Sequence, residues 1–428
     1  MYHHAATRKT MKSVLGIFSL LFLFAACKPA VDREAEIDQE LGKIFKEYEL
    51  MGLSVALIAN GELAYTRSMG MAHEALQRPM TPQTYVRIAS IAKFYTALAV
   101  MTLWEQGLVD LDKPASDYLG WDLVNPRHPE TPITLRHLMD HRSGIRDGEG
   151  YSRFSGNMIY EQLDIRELFT PGSDYYTEDL FATQAPGEYF SYTNCTWGLI
   201  ASIVEKVSGQ RFDKYCLEHL FDPMGIGSSF NVTDIPREDM APIYRYQDSA
   251  WVAQVDDFIE EAPKERAYPG YELGQNGLIY GPQGSLRTSL YDLWITAKML
   301  LNEGELNGNR IIKPGTLTYF QQDGWVYDGK NGDTWDSFWH TYARGMHFIE
   351  NREGGDIIFP DRKLWGHPGI AYGLLSDFYI DPETQSGIIF ITNGSKGKFE
   401  YAENSSFYAV EKAVFKVLHP YLKELEAQ

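Results

Sequence analysis

"RIASIAKFYTALAVMTL", residues 87–103, decides how this chain is read. From Ser90 to Gln106 the spacing is helical, and Phe94, Ala97, Leu98, Val100, Met101 and Trp104 leave almost no face for water, so the helix belongs in a core. It ends before Gly107. Lys93 is the residue out of place. Ser90 and Lys93 are three apart and share one face of the first turn. Desolvation disfavours an ammonium there, and the positive end of the helix dipole acts in the same direction. A neutral amine beside a hydroxyl is one way to make a serine nucleophilic without a histidine. Taken alone, Ser-x-x-Lys is common enough by chance that a capping serine beside a snorkelling lysine is the better reading.

Outward from this helix, the two ends of the chain mirror each other. Residues 33–50 carry Ile37, Leu41, Ile44 and Tyr48 on one helical face, and 53–70 read as a hairpin about Asn60-Gly61. Residues 373–394 form a second hairpin about Asp381-Pro382, and 404–425 are amphipathic. The fold class is therefore α+β: an antiparallel sheet built from both ends and flanked by N- and C-terminal helices. The sheet lobe takes in about 35–75 and 300–425, and about 76–300 form a large, mostly helical lobe. Residues 240–275 and 322–340 lack a period and read as long loops. Trp325, Trp335, Phe338 and Trp339 either line a cleft there or pack within the loop.

Composition removes some function classes. With 39 basic and 58 acidic residues, the formal net charge is −19. No basic run occurs beyond the N-terminus, so the footprint of a nucleic-acid binder is missing. Arg8, Lys9 and Lys12 precede the apolar stretch "VLGIFSLLFLFAA", which is too short to span a bilayer, and Cys27 follows Ala25 and Ala26. Residues 1–26 resemble a bacterial lipoprotein signal, with Cys27 lipidated, 27–34 as a tether and Met11 as an alternative start. The expectation is an exported protein touching the membrane through a lipid anchor only. Cys195 and Cys216 either pair or stay as buried thiols. His137 and His141, four apart, lack a third ligand at a telling spacing, so no metal or other cofactor is expected. No Gly-x-Ser-x-Gly elbow occurs.

Two further stretches complete the argument. "YTN" (192–194) precedes an apolar helix, and "HPG" (367–369) enters the late hairpin. Ser-x-x-Lys, Tyr-x-Asn and basic-x-Gly on an edge strand, in that order, resemble the site of the penicillin-recognising serine hydrolases. The likeness is to the branch of class C β-lactamases, D-alanyl-D-alanine carboxypeptidases, D-aminopeptidases and esterases. It runs from about 35 to 420 and includes 133–145 and 281–304. It implies a β-lactamase/transpeptidase-like fold over 35–425 and a catalytic role for Ser90, Lys93 and Tyr192. Ser90 would form an acyl-enzyme, with Lys93 and Tyr192 sharing base and acid duties. Asn194 would bind Lys93 and the substrate amide, and the N–H groups of Ser90 and Ile370 would form the oxyanion hole. Gly369 would let substrate approach the strand.

The third motif departs from the Lys-Thr-Gly or Lys-Ser-Gly of many relatives. His367 replaces a permanent cation with a group titrating near neutrality, and Pro368 removes a hydroxyl. That weakens recognition of a substrate carboxylate and favours small-molecule or peptide substrates with amide or ester bonds. A true class C-type β-lactamase and a non-catalytic tethered binding protein are the competing readings. The sequence leaves the oligomeric state open.

Overall fold

The computed structural model describes residues 33–254, 265–322, 324–397 and 399–428. The expected lipoprotein signal, the lipidated Cys27 and the choice of start lie outside the described residues. Nine strands make one sheet: β1 (Gly52–Ala59), β2 (Glu62–His73), β3 (Arg78–Pro79), β4 (Trp325–Val326), β5 (Thr341–Ala343), β6 (Met346–Phe348), β7 (Trp365–Ala371), β8 (Leu374–Asp381) and β9 (Ser386–Thr392). Their order is β4-β5-β6-β7-β8-β9-β1-β2-β3. The first strand therefore pairs with the last, antiparallel, from Leu53↔Thr392 to Ile58↔Gly387.

Both hairpins read from the sequence form, and β1 is buried along its whole length because each face of the sheet is covered. Its alternate residues divide between two cores. Val55 and Leu57 pack with Leu41 of α1 (Arg33–Glu47) and with Val414 and Leu418 of a C-terminal helix, whereas Ala56 and Ile58 face the helical lobe. The helices of that lobe that bear on the site are α2 (Ala92–Glu105), α3 (Cys195–Ser208) and α4 (Leu290–Leu301), and the C-terminal helix is α5 (Ala409–Glu426). α5 lies against α1 and β1, and α4 covers β9, β1 and β8 on the opposite face. This is the α+β architecture expected from the two mirrored chain ends.

Phe94 fixes α2 to the sheet. Its ring centroid lies 5.7 Å from that of Phe378 on β8 and 5.8 Å from that of Phe320. Truncating a buried ring in such a setting costs about 3–5 kcal/mol.

Three local expectations are corrected. Residues 240–275 are not all loop: Ile243–Gln247 and Ala250–Gln254 pair as a hairpin about Asp248 and Ser249, both at positive φ. Part of that stretch, 255–264, lies outside the described residues. The helix expected from Ser90 opens with a 3₁₀ turn, Ala89–Ile91, before α2 begins. The C-terminal helix starts at Ala409 rather than near 404, because the Tyr408 N–H is capped by Glu411 of the first turn, at 2.7 Å.

Candidate active site

Ser90 sits in the 3₁₀ turn, directly after Ala89, whose φ of 49° is unusual for a residue with a side chain. Lys93 follows in the first turn of α2 and is fully buried. Its Nζ is 3.1 Å from Ser90 Oγ, 2.8 Å from Asn194 Oδ1 and 2.8 Å from the Gln283 carbonyl oxygen. Burial pulls the amine down to about 7, against the opposing charge of Asp147. The spacing seen in the sequence thus becomes a contact.

The geometry assigns the lone pair of the neutral amine. Asn194 Nδ2 donates to the Asp147 carboxylate at 2.7 Å, so the amide must turn Oδ1 toward Lys93. Asn194 Oδ1 and the Gln283 carbonyl can only accept. A neutral amine has two N–H bonds, and these two acceptors use both. The remaining position of Nζ faces Ser90, the one partner that can donate.

Tyr-Thr-Asn leads into α3 as expected, but a residue outside the motif holds it. Asp147 accepts from the backbone N–H groups of Asn194 and Cys195 and from Thr193 Oγ1, each at 2.8 Å. A carboxylate at the N-terminus of α3 also suits the helix dipole. Tyr192 hydrogen-bonds Ser90, lies with its ring 5.0 Å from Lys93 Nζ and stacks on Trp339 at 5.0 Å. Desolvation raises its hydroxyl well above the usual value, so it keeps its proton at neutral pH.

His367 corrects the expectation of a group titrating near neutrality. It is buried, and desolvation, aided by Lys93, holds its pKa well below the ordinary 6.5. Both ring nitrogens are occupied: Nδ1 meets the Pro368 carbonyl at 2.6 Å and Nε2 the Tyr342 hydroxyl at 3.1 Å. The other side of that hydroxyl is 3.2 Å from His141 Nε2, and His141 Nδ1 accepts from Thr193 N–H at 3.1 Å. Only one set of protons satisfies this chain. Thr193 donates to His141, His141 to Tyr342, Tyr342 to His367, and His367 to Pro368. Second and third motifs are thereby joined through two residues that the sequence reading left out of the site. The sequence presents His141 only as half of a metal pair. His137 instead caps a short helix, where its Nδ1 accepts from Thr134 N–H at 3.3 Å.

Gly369 is required by packing. A Cβ there would strike the Ile88 carbonyl oxygen and Ser376 Oγ. The glycine lets β7 lie against the turn that carries Ser90. Nor is β7 an edge strand throughout. It pairs with β6 at Trp365 and Gly366, and only beyond them is its outer side without a strand partner. Ile370, 46% exposed, stands on that free stretch.

A cleft of about 310 Å³ joins these parts, lined by Ser90, Tyr192, Asn194, His367, Pro368 and Ile370 together with Phe407 and Tyr408, just before α5, and Glu411 in its first turn. Trp335, Phe338 and Trp339 line it as well, whereas Trp325 is buried and stacks on Phe190 with centroids 4.1 Å apart. Cys195 and Cys216 are both buried free thiols. Among the described residues no group of His, Cys, Asp or Glu is placed to hold a metal ion, and no helix is long and apolar enough to cross a membrane.

The fold is that of the penicillin-binding proteins and beta-lactamases. A family model described as Beta-lactamase matches residues 34–410, so the chain belongs to the beta-lactamase family. Penicillin-binding protein 4* of Bacillus subtilis (strain 168) is 28% identical over 179 residues, which are 41% of this chain and 37% of that protein. Esterase EstB of Burkholderia gladioli is 27% identical over 229 residues, 50% of this chain and 56% of the esterase. The chain thus spans only 37% and 56% of the length of these two curated relatives. The octameric penicillin-binding protein homologue from Pyrococcus abyssi superposes with a TM-score of 0.66 at 24% identity, covering 91% of this chain and 77% of that one. D-amino acid amidase from Ochrobactrum anthropi SV3 does so with a TM-score of 0.61 at 19% identity, covering 91% and 99%. At these identities the solved structures bear on the fold alone.

Proposed function

We propose that the protein is an exported hydrolase, tethered through Cys27, that forms an acyl-enzyme on Ser90 from amide or ester substrates such as D-amino-acid peptides or other peptidoglycan-related peptides. The observation that carries this reading is the buried Lys93 amine, whose Nζ lies 3.1 Å from Ser90 Oγ and 2.8 Å from each of two acceptors, Asn194 Oδ1 and the Gln283 carbonyl oxygen.

In acylation, Oγ bonds to the substrate carbonyl carbon as its proton passes to Lys93 Nζ. The oxygen that becomes negative is taken up by the N–H groups of Ser90 and Ile370. When the C–N or C–O bond breaks, the leaving group receives a proton from the Tyr192 hydroxyl, which recovers one from the Lys93 ammonium. A phenol kept protonated by burial suits the acid and not the base, so the duties that the sequence left shared divide between Lys93 and Tyr192. Water then attacks the ester as its proton goes to Lys93, and Lys93 returns that proton to Ser90 Oγ as the acyl C–O bond breaks, which restores the neutral amine and the free serine.

The third motif supports substrates without a clamped carboxylate. A neutral His367 with both nitrogens occupied offers a carboxylate nothing, and Pro368 has no donor. Intact-mass analysis after exposure to a fluorophosphonate, with peptide mapping, tests the reading. A single adduct on Ser90, absent in Ser90→Ala, is expected. An adduct elsewhere, or none, overturns the proposal and leaves the binding-protein reading.

A further inference from the structure

The rings of the cleft gather around one residue of the site. Trp339 stacks on Tyr192 with the two planes 9° apart, and the centroid of Trp335 lies 5.2 Å from that of the same ring. Both line the cleft, as do Phe407 and Tyr408 of the segment leading into α5. No lysine or arginine is among the lining residues, and the one acid, Glu411, is engaged with Asp377 and with the Tyr408 N–H. The aromatic wall is therefore built against Tyr192. In the acylation proposed above, the Tyr192 hydroxyl gives its proton to the departing oxygen or nitrogen. The departing group must then lie within reach of that hydroxyl and continue past the rings beside it.

Trp335 is the ring that packing does not explain. Trp339 is buried and belongs to the core behind the cleft. Trp335 is 48% exposed, and two other large apolar side chains that line the same cleft, Ile370 and Tyr401, are also about half in water. Such a cluster of exposed apolar surface marks a place where something binds. The backbone tells the same way. Trp335, Asp336 and Ser337 have φ of 42°, 51° and 68°, three successive residues with side chains in the left-handed region. Strain of this kind persists only where neighbours enforce it, and it concentrates at functional sites. Here Ser406 Oγ donates to the Asp336 carbonyl at 2.7 Å, and the Trp335 N–H donates to the Asp333 carboxylate at 3.1 Å. The turn keeps an indole at the cleft, beside the catalytic tyrosine, instead of folding it into the core.

We propose that Trp335, Trp339, Phe407 and Tyr408 form the subsite for the leaving group, that it takes a neutral aromatic or bulky apolar group, and that Trp335 determines this specificity. The substrate class narrows to esters and amides whose alcohol or amine half carries such a group, and the acyl half makes no use of these rings. The inference rests on the proposed hydrolase reading for the roles of Ser90 and Tyr192.

Two esters with the same acyl group test it, 3-phenylpropyl acetate and propyl acetate. Their carbonyls are nearly equal in reactivity, because the propyl chain insulates the ester oxygen from the ring. The phenyl ester is expected to have a kcat/KM higher by at least about tenfold. Trp335→Ala should reduce that ratio by about fivefold or more, and Trp335→Phe, which keeps an aromatic face, should retain most of it. Reading the ratio cancels any general loss in the variants. A ratio near one in the wild type, or one that Trp335→Ala leaves unchanged, overturns the subsite. So does a Trp335-dependent preference that appears only when the ring is moved to the acyl half, in methyl 4-phenylbutanoate against methyl butanoate. Calorimetric binding of the two alcohols, 3-phenylpropanol and propanol, to Ser90→Ala is measured in parallel. A preference for the phenyl alcohol without turnover of any ester sinks the hydrolase reading alone, and turnover without any preference sinks the subsite alone.

Discussion

The carboxylate of Asp147 holds the amide of Asn194 in one orientation, and through it fixes where the lone pair of Lys93 points. Asp147→Asn is therefore expected to slow acylation of Ser90 by about tenfold or more, the scale of misplacing a catalytic base. It also removes a charge that raises the Lys93 pKa. The amine must be neutral to act, so the acidic limb of the pH–rate profile, near 7 in the wild type, should move to lower pH. Fluorophosphonate labelling rates across pH check both. An unmoved limb would separate Asp147 from Lys93.

Lys93→Met tests the buried amine through stability. The folded pKa lies below the ordinary 10.5, at about 7. Between these values the unfolded chain binds a proton that the folded one does not, so the wild type gains stability as pH rises. Its full contribution is present above about 10.5 and is lost as pH falls to about 7. The stability difference between wild type and Lys93→Met should widen by up to about 1.4 kcal/mol per pH unit over this window. Denaturant titrations at pH 7 and 9.5 measure it. Acylation should fall by about a hundredfold or more in the same variant.

Tyr342→Phe removes the hydroxyl that joins His141 to His367. Two buried ring nitrogens lose their partner, at about 1–3 kcal/mol each. A lower unfolding midpoint is expected, and ¹⁵N NMR should show His367 as the Nδ1–H tautomer held by the Pro368 carbonyl in both proteins, with the Nε2 resonance shifted where the Tyr342 hydroxyl is lost. A wild-type spectrum already showing mixed tautomers would refute the directional chain.

Gly369→Ala forces β7 away from Ile88. Overpacking of this kind costs about 1–3 kcal/mol. Because Ile88 is two residues from the nucleophile, labelling of Ser90 should fall along with stability. A variant that loses neither would mean that the turn and the strand are not in contact.

The last expectation concerns substrates. A charge-assisted hydrogen bond contributes roughly 1.5–3 kcal/mol, so a site without its carboxylate clamp gives up about tenfold to a hundredfold in kcat/KM. Neutral esters and D-amino-acid amides should exceed a penicillin. Between pH 5.5 and 8.5 no second titration should arise from His367, whose pKa is held well below that range by burial. A penicillin preferred by a thousandfold would restore the β-lactamase reading.

What could be read in the sequence had a period or a spacing. β1, β2, β8 and β9 announce themselves as apolar runs about turns, and Ser90 and Lys93 through separation by one helical turn. Tyr192, Asn194, His367 and Gly369 became candidates only because three short motifs occurred in one order. Asp147, Tyr342, Gln283 and Glu411 follow no such pattern. Each reaches the site from a segment with no periodic relation to the residue it touches, and only tertiary packing brings them together. His367 shows the reverse failure. Its position was legible, but its protonation depends on burial among residues far apart in the chain.

The pairing of β1 with β9 has a consequence for how the molecule comes into being. The centre of the sheet is closed by strands from opposite ends of the chain, so its key contacts are among the most distant in sequence, which slows folding. Ser90 follows the first strands, while Gly369, which seats its turn, comes near the end. A growing polypeptide therefore carries its nucleophile long before it has the strand that shapes it. Reactivity arrives late, all at once, with the final hairpin.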